Sequence, residues 1–378
     1  MSLYRPKIVV LDTATLGKVS RDYWAQDASS RDKARTLINR LRCLGVFITF
    51  TATHVIELLR HGDEQVIRDR VRFLRGIPLI AWVRPYNRSW LPGSIHDVLC
   101  RELHVVVHGS ARSWREIVEQ VRPDLWETGV GSEMFLENDE FWSTISRRGA
   151  RLHEKEKYTA SMARTDAGEV KDMKICEALR LPLRPKEDRD AYTRRFAQEL
   201  QRQLDHHGDK RLSYSHDAAI DFANRALRSV RAIDEMGGDP VQTLLACVGV
   251  PQGLVSPEMT MGEFGELAVY AERLKMISED LRPSIELRID DVPPTTLPSY
   301  VLERRLVSVQ RKAERVSGSD LGDSYIVPLI FYTDAVEVDT RTFEFLNQVR
   351  RSEPKLASLM GRVFPSSDYS RIPELFDD

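Results

Sequence analysis

"VVLDTATLG", residues 9 to 17, is an apolar run that ends on an acidic residue and continues into small, mostly polar residues. The run predicts a buried strand that stops at Asp12. Two interpretations of Asp12 are open. Its side chain could cap the next helix by accepting hydrogen bonds from the first free amides. It could instead stand at the carboxyl end of a parallel strand, where open α/β sheets place their ligand sites.

The bulk composition indicates a globular chain of about two domains, since it has 378 residues with 42% hydrophobic and 30% charged content. No apolar run approaches the roughly 18 residues of a membrane span, and the N-terminus lacks a signal-peptide pattern. We therefore predict no membrane partner and a cytoplasmic location. The four cysteines form no CxxC pair, which favours reduced thiols over a zinc site or a disulfide framework.

Strand and helix patterns alternate at both ends of the chain. Near the N-terminus, strands are predicted at 7–11, at 45–52 and in "IPLIAWVRP", with helical periodicity at 30–44 and 53–76. Near the C-terminus, "DAVEVD" predicts a short strand that stops on Asp339, and the helix "TRTFEFLNQV" follows. This alternation is typical of a parallel α/β sheet.

The middle of the chain differs from both ends. From about residue 111 to 283 the sequence predicts long charged helices with little strand signal, and a polar loop at 151–172. The predicted architecture is thus an α/β domain interrupted by a mainly α-helical insertion. The predicted boundaries are 1–110 for the first half of the α/β domain, 111–285 for the insertion and 286–378 for the second half.

Acidic residues recur at the ends of the predicted elements. Asp12 and Asp339 end strands, Asp323 opens the helix in "DLGDSYIVPLIFY" with Asp320 one turn earlier, and Glu57 lies in the first turns of another helix. In a parallel sheet these side chains would meet at one edge, where like charges repel one another. Mg²⁺ or Mn²⁺ would neutralise them, and two such ions can assist phosphoryl transfer.

The set of motifs resembles the PIN-like nucleases. It is carried by "VVLDTATL", "HVIELLR", "DLGDSYIV" and "VEVDTRTF", within about residues 5–90 and 296–350. The resemblance implies a parallel-sheet, three-layer α/β domain and a metal-dependent endonuclease that prefers RNA slightly over DNA. It also implies that four acids are catalytic metal ligands, namely Asp12, Glu57, Asp323 and Asp339. Asp320 would be an accessory ligand.

Two features depart from the family pattern. Ala14 stands where the family often has a polar residue, and the insertion is far longer than in small PIN domains. The insertion leaves the substrate preference open. It could also be the surface for a homo-oligomer or a protein partner.

Two groups of arginines are candidates for phosphate contacts. The chain has 43 arginines and only 12 lysines, although its net charge is −2. Arginine suits bidentate phosphate binding, and such contacts set affinity rather than sequence choice. The candidate nucleic-acid-binding residues are Arg68, Arg72 and Arg75 in one helix, and Arg304, Arg311 and Arg315 in another. The alternative is that both are solvated faces paired with nearby acids.

Three other interpretations compete with the nuclease. A catalytically inactive PIN-like scaffold would act in binding or assembly through its insertion. A haloacid-dehalogenase-type phosphatase also begins with a strand ending on Asp, but Ala14 stands where its second Asp is expected. His54 and His61 share a helical face with Glu57 and could bind a transition metal. The pattern favours a packed His54 and an exposed His61.

Overall fold

The computed structural model describes residues 5–87, 89–109, 111–164, 172–178, 189–207, 215–224, 245, 248–256, 258–281, 287–311 and 326–377. The chain divides into two compact units. The first, the sheet unit, comprises Met1–His153 and Thr295–Asp378, and the second comprises Glu154–Pro294. Within the described residues, no helix is both long and apolar enough to span a membrane.

The sheet unit is built on six strands. They are β1 (Lys7–Val10), β2 (Val46–Phe50), β3 (Ile80–Val83), β4 (Trp126–Gly129), β5 (Ala335–Val338) and β6 (Arg362–Pro365). Their order across the sheet is β4-β3-β2-β1-β5-β6, and every neighbouring pair is parallel except β3 with β4. The predicted α/β class with a largely parallel sheet is confirmed.

Helices connect the strands, because parallel neighbours need a crossover. In the first segment of the sheet unit, up to His153, the helices are α1 (Thr13–Tyr23), α2 (Ala28–Cys43), α3 (Ala52–Leu59), α4 (Glu64–Gly76), α5 (Ile95–His108), α6 (Trp114–Leu125), α7 (Gly131–Met134) and the first part of α8 (Asp139–Arg164). The second unit contains the rest of α8, then α9 (Ile175–Ala178), α10 (Arg189–His207) and α11 (Met261–Leu281). The sheet unit resumes with α12 (Pro298–Arg311), α13 (Thr340–Ser352) and α14 (Pro354–Ala357).

Two apolar cores cover the two faces of the sheet. Alternation along β1 sends Val9 to one face and Val10 to the other, as expected for a period of two. On the Val9 face the sheet packs against α1 to α4, and on the Val10 face against α5, α6, α12 and α13. The sheet thus lies between two helical layers, which is why three of the four residues of β1, all but Lys7, are apolar and buried.

Several predicted boundaries move. The helix expected over 53–76 is two helices, because the turn at 60–63 ends α3 and Asp63 caps α4 by accepting from the Gln65 amide at 2.7 Å. The loop expected over 151–172 is helical as far as Arg164, in α8. Residues 165–171 lie outside the described residues.

Strands β4 and β6 were not predicted from the sequence. "WETG" and "RVFP" are only four residues long and lack a clear apolar alternation. Since β4 pairs with β3, the residues from 111 to 153 belong to the sheet unit. The boundaries therefore fall after His153 and before Thr295, rather than at 110/111 and 285/286.

The buried carboxylate of Glu102 binds the segment with which the chain re-enters the sheet unit. Glu102 of α5 is fully buried and accepts hydrogen bonds from the Ser299 hydroxyl and the Tyr332 hydroxyl, each at 2.5 Å. It also accepts from the Ser299 amide in the first turn of α12. Burial raises the pKa of Glu102 to about 7. One side chain thus links α5, α12 and the segment that leads into β5.

We expect Glu102→Ala to lower the free energy of unfolding by about 3 kcal/mol, since it leaves two hydroxyls and an amide without their buried acceptor. Tyr332→Phe is the matched control, because it removes one donor and leaves Glu102 bonded to Ser299. It should cost about 1 kcal/mol. Urea unfolding followed by circular dichroism measures both. Equal losses in the two variants would contradict a central role for Glu102.

Candidate metal site at the carboxyl edge of the sheet

Strands β1 and β5 are adjacent and parallel, and the chain turns from their carboxyl ends toward opposite faces of the sheet. After β1 the chain enters α1 on one face of the sheet, and after β5 it enters α13 on the other face. Such a switch in direction opens a crevice at the carboxyl ends of the strands, and ligands of open α/β sheets bind there. Asp12 follows β1 and Asp339 follows β5. The sequence placed both residues correctly at this edge.

Asp12 is both a helix cap and a member of this edge. Its Oδ1 accepts from the Ala14 amide at 3.4 Å, and its Oδ2 accepts from the Ser366 hydroxyl at 3.4 Å. Both bonds are long, so the carboxylate has capacity for another partner. Burial raises the pKa of Asp12, and the negative charge of Asp339 raises it further against the opposing hydrogen bonds. The two carboxylates are therefore close enough to repel each other.

Asp339 caps α13 with a shorter bond. Its Oδ1 accepts from the Thr342 amide at 2.5 Å. Beside it, the Ser366 amide donates to the Val338 carbonyl at 2.8 Å and continues the pairing of β5 with β6. This contact places the Ser366 hydroxyl next to Asp12. Ser366 was not predicted from the sequence, because β6 was not.

Glu337 is a buried acid that sequence reasoning missed. It lies within β5 with 1% of its surface exposed. Its Oε1 accepts from the Thr15 hydroxyl at 2.8 Å, and its Oε2 accepts from the Asp12 amide at 3.1 Å. Burial raises the pKa of Glu337 to about 7, with a further contribution from the charge of Asp12. Glu337 therefore holds the turn that carries Asp12, with one hydrogen-bond donor at each of its oxygens.

A sequence signal for Glu337 did exist. In "AVEV" the only charged residue stands two positions before Asp339, so the two side chains leave β5 on the same side. A charged residue inside a four-residue buried strand is uncommon unless it has partners. This spacing is the pattern that would have identified it.

His54 is buried, as the packing interpretation predicts, and one of its ring nitrogens, Nδ1, is hydrogen-bonded within the cap of α3, while its Nε2 has no hydrogen-bond partner among the described atoms. It is fully buried in the first turn of α3, and its Nδ1 lies 2.8 Å from the Thr51 hydroxyl and accepts from the Thr51 amide at 3.1 Å. Burial lowers the pKa of His54 to about 4, so the ring is neutral. His61 is exposed and its Nδ1 accepts from the Asp63 amide. Both placements agree with the packing interpretation of these histidines.

Of the remaining predicted ligands, Glu57, Asp320 and Asp323, the structure describes only Glu57. Glu57 is half-buried on α3, the helix that follows β2 at the same edge of the sheet. Asp320 and Asp323 lie outside the described residues. Within the described part of the chain, no three acids at this edge bring an oxygen each within 4.8 Å of one another. The described part of the site is therefore the pair Asp12 and Asp339, supported by Glu337 and Ser366.

The donors present fit a hard divalent cation. Mg²⁺ is usually held by one or two carboxylates and keeps several waters, which matches two neighbouring carboxylates better than a closed cage. The Thr13 hydroxyl, next to Asp12, is buried and has no hydrogen-bond partner among the described atoms. A cation would relieve the repulsion that raises the pKa of Asp12.

The α4 arginines make local contacts. Each pairs with a nearby acid: Arg68 with Glu64 at 3.6 Å, Arg72 with Asp69 at 3.5 Å and Arg75 with Glu137 at 2.8 Å. Arg75 also donates to the Phe135 carbonyl at 2.6 Å. Because α4 leads into the amino end of β3, Arg75 lies toward the edge opposite Asp12. The structure does not bring Arg75 to the acids.

The second arginine group is largely outside the described structure. Arg304 is half-buried on α12. The side chain of Arg311 and the whole of Arg315 lie outside the described residues. A role for these three arginines in binding phosphate therefore stays a prediction.

We expect Glu337→Gln to gain stability relative to wild type as the pH rises from about 4.5 to 7.5. The raised pKa of Glu337 means that its contribution is fully present below about pH 4.5 and is lost as the pH rises through 7. Glutamine stays neutral, can accept from the Asp12 amide and can donate to Thr15. The difference should grow by up to about 1.4 kcal/mol per pH unit.

Thermal melts of both proteins at pH 5, 6, 7 and 7.5 measure this difference. Glu102 and His54 also titrate, but they are present in both proteins, so their effects cancel in the comparison. A difference in melting temperature that does not change with pH would contradict the buried, proton-binding state of Glu337.

Comparisons with known proteins assign no family to this chain. No protein-family model matches it, no curated protein matches it, and no solved structure matches it. The interpretation of the edge therefore depends on the chemistry of its own residues.

Proposed function

We propose that the protein is a metal-dependent endonuclease that hydrolyses phosphodiester bonds, with RNA slightly preferred over DNA. One observation carries the proposal: Asp12 and Asp339 follow the adjacent parallel strands β1 and β5 at the switch point of the sheet, and the charge of Asp339 adds to the rise that burial causes in the pKa of Asp12. Two repelling carboxylates where open α/β sheets bind ligands are what a divalent cation would stabilise. The RNA preference and the PIN-like character come only from the motif resemblance.

Asp12 and Asp339 would hold Mg²⁺ or Mn²⁺ in this proposal, with Glu57, Asp323 and the accessory Asp320 as further ligands expected from the motifs. The ion would supply Lewis-acid stabilisation of charge on the phosphate and activation of a water. The other residues position the ligands. Glu337 fixes the backbone at Asp12, and the Ser366 hydroxyl lies within hydrogen-bond reach of both the Val338 carbonyl at 3.2 Å and the Asp12 carboxylate at 3.4 Å. The Thr342 amide orients Asp339.

A catalytically inactive scaffold is the second candidate, and one observation favours it. Both Asp12 and Asp339 accept hydrogen bonds from the amides of the helices that they begin, as ordinary caps do. In that case the two residues would stabilise α1 and α13 and would have no role in chemistry. Substitution by asparagine separates the candidates, because asparagine caps a helix about as well as aspartate but removes the ligand charge.

We expect Asp12→Asn and Asp339→Asn each to reduce cleavage at least a hundredfold without loss of folding, because each removes the negative charge of one proposed metal ligand. The assay incubates labelled single- and double-stranded RNA and DNA with Mg²⁺, Mn²⁺ or EDTA. The matched control is Asp27→Asn, since Asp27 caps α2 by accepting from the Ser30 amide at 2.8 Å. Wild-type cleavage that survives in either edge variant would remove the catalytic assignment.

We expect Mg²⁺ and Mn²⁺ to raise the melting temperature of the wild-type protein by a few degrees. An ion that binds only the folded state stabilises it by about 2.7 kcal/mol at a hundredfold excess over Kd. The shift should shrink in Asp12→Asn and persist in Asp27→Asn. Differential scanning fluorimetry across a metal titration measures it. A wild-type melting temperature indifferent to both ions would favour the scaffold.

A further inference from the structure

The loop from β3 to α5 lies along the same edge of the sheet as the acids. This loop, residues 84–93, begins at the carboxyl end of β3, two strands away from β1. The spacing of about 4.8 Å between neighbouring strands places β3 on the order of 10 Å from β1. The Gly93 carbonyl accepts from the Ala52 amide at 3.0 Å, which ties the loop to the start of α3.

Hydrogen bonds anchor both ends of this loop. The Tyr86 amide donates to Asp97 Oδ1 at 2.7 Å, and the Gly93 amide donates to the Val83 carbonyl at 2.6 Å. A Cβ at Gly93 would lie 3.0 Å from that same carbonyl oxygen, so the close approach requires glycine. The buried Arg101 guanidinium donates to the Pro85 carbonyl. The described part of the loop is therefore held in place.

Trp90 points out of this anchored loop. Its surface is 70% exposed, more than that of any other large hydrophobic residue in the described structure. The next two residues face inward, because Leu91 packs against the apolar core and Pro92 is buried. An exposed indole forgoes the stabilisation that burial of a large aromatic side chain provides. A fixed loop that presents tryptophan to solvent suggests a binding role for the ring.

The composition of the loop that carries Trp90 is basic, which favours an anionic ligand. The segment "RPYNRSWLPG", residues 84–93, contains two arginines and no acidic residue. Arg84 is half-exposed; its Nη2 donates to the Trp126 carbonyl at 3.3 Å, and its Nη1 makes a loose pair at 3.9 Å with Asp124, whose side chain is 83% exposed. Such a surface pair is weak, so the guanidinium could exchange it for a phosphate at little cost. An aromatic ring beside an arginine suits a nucleic-acid strand.

We propose that Trp90 stacks on an unpaired base of a single-stranded nucleic acid whose backbone passes the Asp12–Asp339 pair. This inference rests on the proposed nuclease function and adds the substrate class to it. Single strands are favoured because their bases expose a π-face, whereas each base inside a duplex is covered by its neighbours. Stacking tolerates any base, so the contact would confer little sequence specificity.

Binding is measured without cleavage, by fluorescence anisotropy of a labelled 12-nucleotide single-stranded RNA and of the matched duplex in EDTA. Trp90→Ala should weaken binding of the single strand by roughly fivefold to a hundredfold. Trp90→Phe should retain part of the affinity, and the duplex should be affected much less. Repeating the experiment with single-stranded DNA tests whether the sugar matters.

Trp24→Ala is the matched control. Trp24 is 39% exposed at the end of α1 that lies away from the acids, and its indole donates to the Asp69 carbonyl. This variant should bind the single strand as wild type does. Equal binding by the Trp90→Ala and Trp24→Ala variants would overturn the stacking role. Self-association that depends on Trp90, without binding of either oligonucleotide, would overturn it in favour of a protein interface.

The two proposals fail separately. If Trp90→Ala loses single-strand affinity but wild type cleaves nothing with Mg²⁺ or Mn²⁺, the stacking contact stands and the nuclease does not. If wild type cleaves and Trp90→Ala binds normally, the nuclease stands and the stacking contact does not.

Discussion

The pairing of β1 with β5 is the contact on which the candidate site depends. Val9 pairs with Ala335 and Val10 with Val336, although the chain between them contains the whole second unit. At the amino end of this pair the Ile8 amide donates to the Asp334 carboxylate at 2.8 Å. At the carboxyl end the Asp12 amide donates to Glu337, 325 residues away in the chain, at 3.1 Å.

Each end of this pairing uses a carboxylate, but the two environments differ. Asp334 is partly exposed and forms an ion pair with Arg5 at 3.2 Å. Glu337 is buried and is held only by neutral donors and a backbone amide, and its pKa rises to about 7. The charged form of Glu337 is therefore costly, while its hydrogen bonds fix the turn before α1. Glu337 therefore holds Asp12 at the edge of the sheet but lowers the stability of the fold near neutral pH, where its carboxyl group begins to ionise.

Much of the edge could be predicted from the sequence because it depends on local patterns. The apolar run before Asp12, the strand before Asp339 and the helices after both are short-range signals, and the structure contains each of them. β4 and β6 each bury only one of their four residues, so they lack the apolar run that identifies the equally short β1, β3 and β5. Their pairing with β3 and β5 is long-range, and local patterns do not specify it.

Partners across the fold are the part that could not be predicted. Ser366 reaches Asp12 only because β6 lies beside β5. Arg75 was a candidate for phosphate contacts, yet the break between α3 and α4 and the direction of β3 place it toward the edge opposite the acids. The order of strands across a sheet decides such distances, and it is set by packing rather than by neighbours in the sequence.

Cap and ligand are compatible roles for Asp12 and Asp339. Helices α1 and α13 both begin at this edge, and each N-terminus carries the equivalent of about half a positive charge. Two carboxylates therefore leave an edge with a net charge of about −1, which lets them stay close without an ion. Each cap uses one lone pair of its carboxylate and orients the group, and because a carboxylate offers about four lone-pair sites, each aspartate keeps lone pairs for a cation even where Ser366 also donates to Asp12. The same hydrogen bonds that begin the helices would thus orient a pair of ligands for a cation.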